Sequence, residues 1–278
     1  MDETQDNARI QAILASGIKI PPLPDVLIQL QNLLRDPDAS AADVAKVIQQ
    51  DGALSGAVFR VVGSPVFGLR AKVTTLDHAI ALLGIPPTLG ILRGLALRHA
   101  FSDPASQAAL ESLWHRSSQI AHIATVLCKQ LRKSGVASDQ AYTLGMFHDC
   151  GLALLVKRYP AYAAALSAPE WPDVFALDEA NNTDHALMGQ QVAKNWQLPE
   201  IMANAIRQHH NPNARLDEPT MRLIAMLNFA CHLHAKMAGS DTPAWETDWK
   251  AVVMSYLKLD ESDIEDVETE TRLQLEGV

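Results

Sequence analysis

The sequence predicts an all-α protein, an N-terminal helical subdomain packed on a larger helical bundle, and three observations predict it. Apolar residues recur at three- and four-residue spacing through most of the chain. Aromatic residues make up 5% of it while Ala, Leu, Ile and Gln are plentiful, a composition that favours helices over sheets. No convincing apolar–polar alternation marks a strand. With 48% apolar residues in 278, there is enough chain for one large domain or two smaller ones sharing a core.

The elements follow in order. Residues 1–17 read as a short polar lead with at least one helical turn. Pro21, Pro22 and Pro24 hold the chain extended, after which Val26, Leu27, Leu30, Leu33 and Leu34 repeat at helical spacing and Asp36-Pro37 ends the helix. Ser40, with Asp43 three residues on, predicts a capped helix carrying Val44, Val47 and Ile48. Asp51 is placed to cap a third, with Leu54, Val58 and Val61, which Gly63-Ser64-Pro65 breaks. Thr74 or Thr75 starts the next, stopped by Gly84, and another runs from about Pro87 to Ala100. Ser102-Asp103-Pro104 sets the subdomain boundary, giving an N-terminal subdomain of 18–104 and a second of 105–278.

The second half opens with a long helix over about 105–133, then one helix over 138–158 that contains His148-Asp149. Residues 167–183, with two prolines and two asparagines, are read as partly loop. Helices are expected over 185–196, 199–209, 219–233, 245–257 and 261–275. The last is acidic: the stretch from Asp260 to the end carries −7 of the net −9. Ile264, Val267 and Leu275 share one side of it, so a docked helix is favoured over a disordered tail.

Charge and cysteine usage exclude several classes. The remaining body is near neutral and has no basic cluster, so neither a nucleic-acid partner nor a membrane is expected. No apolar run reaches about 18 residues, and the polar start MDETQDNARI is unlike a secretory leader. Three cysteines without a CxxC pair do not form a disulfide framework. A cytoplasmic location is the expectation.

The strongest local signal is GMFHDCG, residues 145–151. A His-Asp pair on a helix followed by Gly resembles the signature of the HD superfamily of metal-dependent phosphohydrolases. An imidazole and an adjacent carboxylate offer one nitrogen and two oxygens to a divalent metal, and a bridging carboxylate suits a two-metal centre that activates water. His185, in HALMG, and His209-His210, in IRQHH, stand where that pattern draws further imidazoles from later helices. His210, before Asn211-Pro212, also suits a helix C-terminus without any ligand role.

Longer segments make the resemblance specific. IPPLPDVLIQLQNLL, VTTLDHAIALLGI, LGMFHDCGLALL and HALMGQQVAKNWQLPEIMANAIRQHHNP, among others over about residues 15–260, resemble the HDOD family, the HD-related output domains of bacterial signalling proteins. The resemblance implies an HD-like bundle over residues 105–278. It also implies a decayed metal site. HD enzymes place a first His in a pattern like LWxHS, whereas this chain has Leu113-Trp114-His115-Arg116-Ser117. Arg116 takes the ligand slot, and His115, one residue earlier, is rotated by about 100° on a helix. Where HD enzymes have a final Ala-Asp, the chain has Ala230-Cys231, with Asn228 nearby as an alternative alignment. The vestigial site is therefore Arg116, His148, Asp149, His185, His209, His210 and Cys231, with an Arg116–Asp149 contact expected in place of a metal, the alternative being a solvent-exposed Arg116.

The function implied is a bacterial signal-transduction output or scaffold domain, non-catalytic and acting by protein–protein interaction. Its partners would be signalling proteins, cyclic-dinucleotide or phosphorelay components among them. No cofactor is expected, the alternative being a divalent metal on His148 and Asp149. Two other readings stay open: a sensor that binds a nucleotide or other anion in the degenerate cleft, and a metal-dependent phosphohydrolase. The second needs His115 and either Asn228 or Cys231 to complete a ligand set. Trp114, Phe147 and Trp196 are read as core, and Cys128 as buried and inert.

Overall fold

The computed structural model describes residues 3–62, 73–168, 170–240, 242 and 244–276, and among them there is no strand. The polar lead is a helix, α1 (Glu3–Ala15), with Ile10 and Ile13 buried. The N-terminal half continues as α2 (Asp25–Leu33), α3 (Ala41–Ile48), α4 (Gly52–Val62), α5 (Leu76–Leu83) and α6 (Ile85–Ala100). Two of the expected caps are present, while Thr75 precedes α5 without a side-chain cap hydrogen bond. Ser40 and Asp43 form a reciprocal capping box on α3, and Asp51 Oδ1 accepts from the Ala53 and Leu54 N–H groups at 2.8 and 3.1 Å. Gly84, at φ 86°, ends α5 in a conformation an L side chain rarely adopts. The break expected at Gly63-Ser64-Pro65 lies outside the described residues.

A 3-10 turn, Pro104–Ser106, leads into the second half. There follow α7 (Gln107–Gln130), α8 (Ser138–Phe147), α9 (Cys150–Val156), α10 (Pro160–Leu166), α11 (Val174–Asn181), α12 (His185–Asn195), α13 (Glu200–Gln208) and α14 (Glu218–Met237). A π turn at Trp245–Trp249 runs into α15 (Lys250–Leu257), and α16 (Glu261–Glu276) closes the chain. Helix α7 runs through the middle of this half, packed on α8 and α14, with α10 and α16 also against it. Helix α6 lies on α8, so one continuous apolar core spans both halves. Leu30, Ile48 and Ile80 on one side and Leu113, Phe147 and Trp196 on the other are each 0% exposed. Burial of each aliphatic side chain stabilises by about 1.5–3 kcal/mol relative to exposure. The acidic helix is docked: Ile264 and Val267 are buried, and the buried Thr271 hydroxyl donates to Gln130 Oε1 at 2.8 Å.

One expectation is corrected. The segment 138–158 is two helices, not one, and the break falls on the His148-Asp149 pair. His148 N–H still donates to Leu144 O at 2.8 Å, but Asp149, at φ −101° and ψ 11°, leaves the helix. The turn lets α9 press against α12 so closely that a Cβ at Gly151 would sit 1.9 Å from His185 O. The segment 167–183 is partly loop, as expected: residues 170–173 are irregular, and α11 follows, capped by Asp173, whose carboxylate accepts from Phe175 and Ala176 N–H.

Candidate metal centre

The site is assembled from helix ends. His148 follows the last residue of α8, His209 follows the last residue of α13, and His185 is the first residue of α12. At the C-terminal end of a helix the last carbonyls lack intrahelical partners, and two of these histidines use one. His148 Nδ1 lies 2.8 Å from Gly145 O, and His209 Nδ1 lies 2.7 Å from Ile206 O. A carbonyl can only accept, so each Nδ1 carries a proton and each Nε2 faces inward. His185 is fixed from another helix: its Nδ1 lies 2.6 Å from Asp178 Oδ2, which also accepts the His185 backbone N–H at 3.0 Å.

All three Nε2 atoms converge on Asp149. Its Oδ2 is 3.1 Å from His148, and its Oδ1 is 3.4 Å from His209 and 3.6 Å from His185. Asp149, His148, His185 and His209 are each at most 3% exposed. His210, at the rim, places its Nε2 3.0 Å from His185 Nε2. Without a cation that contact needs one proton, and with the His185 proton given to Asp178 it belongs to His210, whose Nε2 must give it up to hold a metal. Donor atoms of Asp149, His185, His209 and His210 all lie within 4.8 Å of one another, as the ligands of one cation would. Among the described residues, Asp149 Oδ1 and His209 Nε2 are buried and have no hydrogen-bond partner. Leaving such groups unpaired in a dry interior costs about 1–3 kcal/mol each, so a cation fits what these residues lack.

The electrostatics agree. Burial works to raise the Asp149 pKa, yet the His148 charge and hydrogen bond, with His209 and His185 close by, hold it well below the usual carboxylate range. Burial pushes His209 down, and burial with its neighbours His209 and His185 pushes His210 well down. Neutral rings are what a metal requires. His185 is the exception: burial lowers its pKa, but the Asp178 hydrogen bond and the nearby carboxylates raise it on balance.

The other flank differs from expectation. Among the described residues Arg116 makes no ion pair with Asp149. Its Nη1 is 3.1 Å from His234 Nδ1 and its guanidinium lies 4.4 Å from the centre of the Trp171 ring. The indole and the imidazole hold it by stacking and a hydrogen bond, away from the carboxylate. His115 is exposed, as its helical position implied. Cys231 is half-buried and its thiol is pushed up to about 12 by burial, so it stays protonated. Asn228 donates to His209 O at 2.9 Å and so secures the turn carrying His209. Cys128 is buried and free, with burial raising its pKa to about 12.

Three residues escaped the sequence reading: Asp178, Tyr162 and Thr183. Tyr162 Oη donates to Asp178 Oδ1 at 2.5 Å, and Thr183 Oγ1 is 3.2 Å from the same oxygen. Nothing local in LDEANNTDH distinguishes Asp178 from its acidic neighbours; only the turn between α11 and α12, with Tyr162 of α10 bonded behind it, brings it to His185. A cavity of about 470 Å³ opens at the rim, with Arg9, Phe175, Arg207 and His210 in its wall. The Phe175 ring is 55% exposed there and sits 4.5 Å from the His210 ring.

Comparison with known proteins agrees with this architecture. The chain is 26% identical over 241 residues to an uncharacterized protein of Treponema pallidum (strain Nichols), covering 84% of this chain and 46% of that one, so it spans about half the length of that curated relative. The crystal structure of an HDOD domain protein of unknown function from Geobacter sulfurreducens superimposes with a TM-score of 0.75 at 20% identity, over 98% of this chain and 96% of that one. A candidate metal-dependent phosphohydrolase of Shewanella amazonensis SB2B gives 0.72 at 16% identity, over 98% of both chains. At these identities the likeness concerns the fold. The profile of the HDOD domain matches residues 20–212, which include α2 through α13 and every donor of the histidine cluster, and the chain belongs to the HDOD domain family.

Proposed function

We propose that this chain is a bacterial, cytoplasmic signalling domain that works by binding rather than turnover, with one divalent cation in the cluster and signalling proteins as its partners. The observation that carries the metal half of this reading is the pair of buried, unpartnered atoms, Asp149 Oδ1 and His209 Nε2, facing the His185 and His210 nitrogens. One carboxylate oxygen and three imidazole nitrogens suit zinc, iron or manganese better than magnesium or calcium. Asp149 supplies the negative charge, His185 and His209 the fixed nitrogens, and His210 the nitrogen nearest the cavity. A cation held there would act as a Lewis acid toward an oxygen of a small ligand entering through the cavity. His148 Nε2, 3.1 Å from Asp149 Oδ2, orients the carboxylate.

The opposite flank supports the non-hydrolytic half. A second metal would need ligands where Arg116 and Cys231 stand; the first is a cation and the second a protonated thiol. Signalling is what the HDOD resemblance implies, and Arg116, anchored on Trp171 and His234, keeps a fixed positive charge on that side. The test is metal content by mass spectrometry after exposure to manganese, iron and zinc and then desalting, beside an assay with bis-p-nitrophenyl phosphate. About one equivalent per chain, lost in His209→Ala, and no hydrolysis are expected. Two equivalents with turnover would replace this reading by a phosphohydrolase, and no retained metal would remove the metal and leave the protein-interaction role.

A further inference from the structure

We infer that Asp178 is a positioning residue: it holds His185 in the one protonation pattern that presents Nε2 to the centre, and Tyr162 and Thr183 hold Asp178. This rests on the one-metal reading above. The argument begins with where each histidine lies on its helix. His148 and His209 follow helix C-termini, where free carbonyls abound, and each finds its acceptor three residues back. His185 opens α12, and the free groups at a helix N-terminus are N–H donors. No carbonyl of its own turn is available to take the Nδ1 proton. Left alone, the ring could place that proton on Nε2 and turn a donor, not a lone pair, toward the cluster.

Asp178 supplies the missing acceptor from α11. Its Oδ2 takes both the His185 ring N–H at 2.6 Å and the backbone N–H at 3.0 Å, which fixes ring and helix start together. Its Oδ1 is bound in turn by the Tyr162 hydroxyl at 2.5 Å and the Thr183 hydroxyl at 3.2 Å. The two hydroxyls are themselves 2.6 Å apart. Asp178 is 8% exposed and Tyr162 0%, so the carboxylate has no freedom to rotate. A carboxylate behind a ligating imidazole also raises the basicity of the far nitrogen. Helices α10 and α11 give no donor to the cluster; they build the acceptor that makes one histidine a ligand.

The test has two arms. In the metal-free full chain, long-range proton–nitrogen correlation spectra in mildly alkaline solution report which ring nitrogen of His185 is protonated. The expected pattern is Nδ1–H with a bare Nε2, lost in Asp178→Ala while the His148 and His209 patterns persist. In the second arm, zinc affinity falls about 10–100-fold in Asp178→Ala and by less in Tyr162→Phe, which keeps the acceptor and guards against a variant that fails to fold. A wild-type His185 protonated on Nε2 alone, or an Asp178→Ala spectrum unchanged at His185, overturns the assignment. If wild type takes up no zinc, the metal reading fails and the first arm still decides the role of Asp178.

Discussion

At the scale of single residues, the sequence located the donors but not what orients them. His148, Asp149, His185, His209 and His210 were legible because they fall in long ordered segments that resemble one family. Asp178 was not, because a carboxylate seven residues before a histidine says nothing until the turn between α11 and α12 brings it to the His185 ring. Arg116 meets Trp171 and His234 and not the expected Asp149: both are remote in sequence, and their pull on the guanidinium is a tertiary fact. His234 gives a pH prediction. Burial and then the Arg116 charge lower its pKa from 6.5 to about 4. The folded state therefore binds less proton than the unfolded chain between those values. The contribution of this group is intact above about pH 6.5 and declines as the pH falls toward 4. In urea titrations across that range, His234→Gln is expected to be less acid-sensitive than wild type, by up to about one proton in the slope of stability against pH. Equal slopes would mean that His234 titrates alike in both states.

At the scale of elements, caps and periodicity fixed most helices, since a helix end is a local event. Ser40→Ala removes the hydroxyl that accepts the Asp43 N–H, while Asp43 can still accept the N–H of residue 40, and is expected to cost about 1 kcal/mol in chemical denaturation. The turn at His148-Asp149 was misread as helix interior because apolar spacing continues across it; the cause is tertiary, the close approach of α9 to α12. Gly151→Ala tests that cause. Its Cβ would meet His185 O at 1.9 Å, with backbone rather than a flexible side chain in the way. The helices must part, and overpacking of this kind costs about 3 kcal/mol or more. Because His185 moves with α12, the variant is also expected to lose metal. A variant that melts with wild type would show that α9 can shift without cost.

At the scale of the whole molecule, the two halves share one core, and α1, which precedes the family match, is tied to the second half through α12. Arg158 donates to Ser16 O at 2.9 Å and Trp196 to Pro21 O at 3.0 Å. The Asp6 carboxylate pairs with Arg207 at 3.2 Å, and Arg9 pairs with Asp184 at 3.6 Å. Asp184 caps α12 and Arg207 stands two residues before His209, so α1 straps the two helices that carry the cluster. The apolar part of this contact is narrow, mainly Ile10 and Ile13, and partly exposed ion pairs are each worth about 0–1 kcal/mol. Helix α1 should therefore open on its own, well below the cost of global unfolding. In hydrogen-exchange mass spectrometry of Asp6→Asn combined with Arg9→Gln, peptides from α1 are expected to exchange several-fold faster while those of α7 and α14 stay protected. Protection lost across α7 and α14 as well would make α1 part of the cooperative core. Unchanged exchange in α1 would mean that Ile10 and Ile13 hold it without the ion pairs.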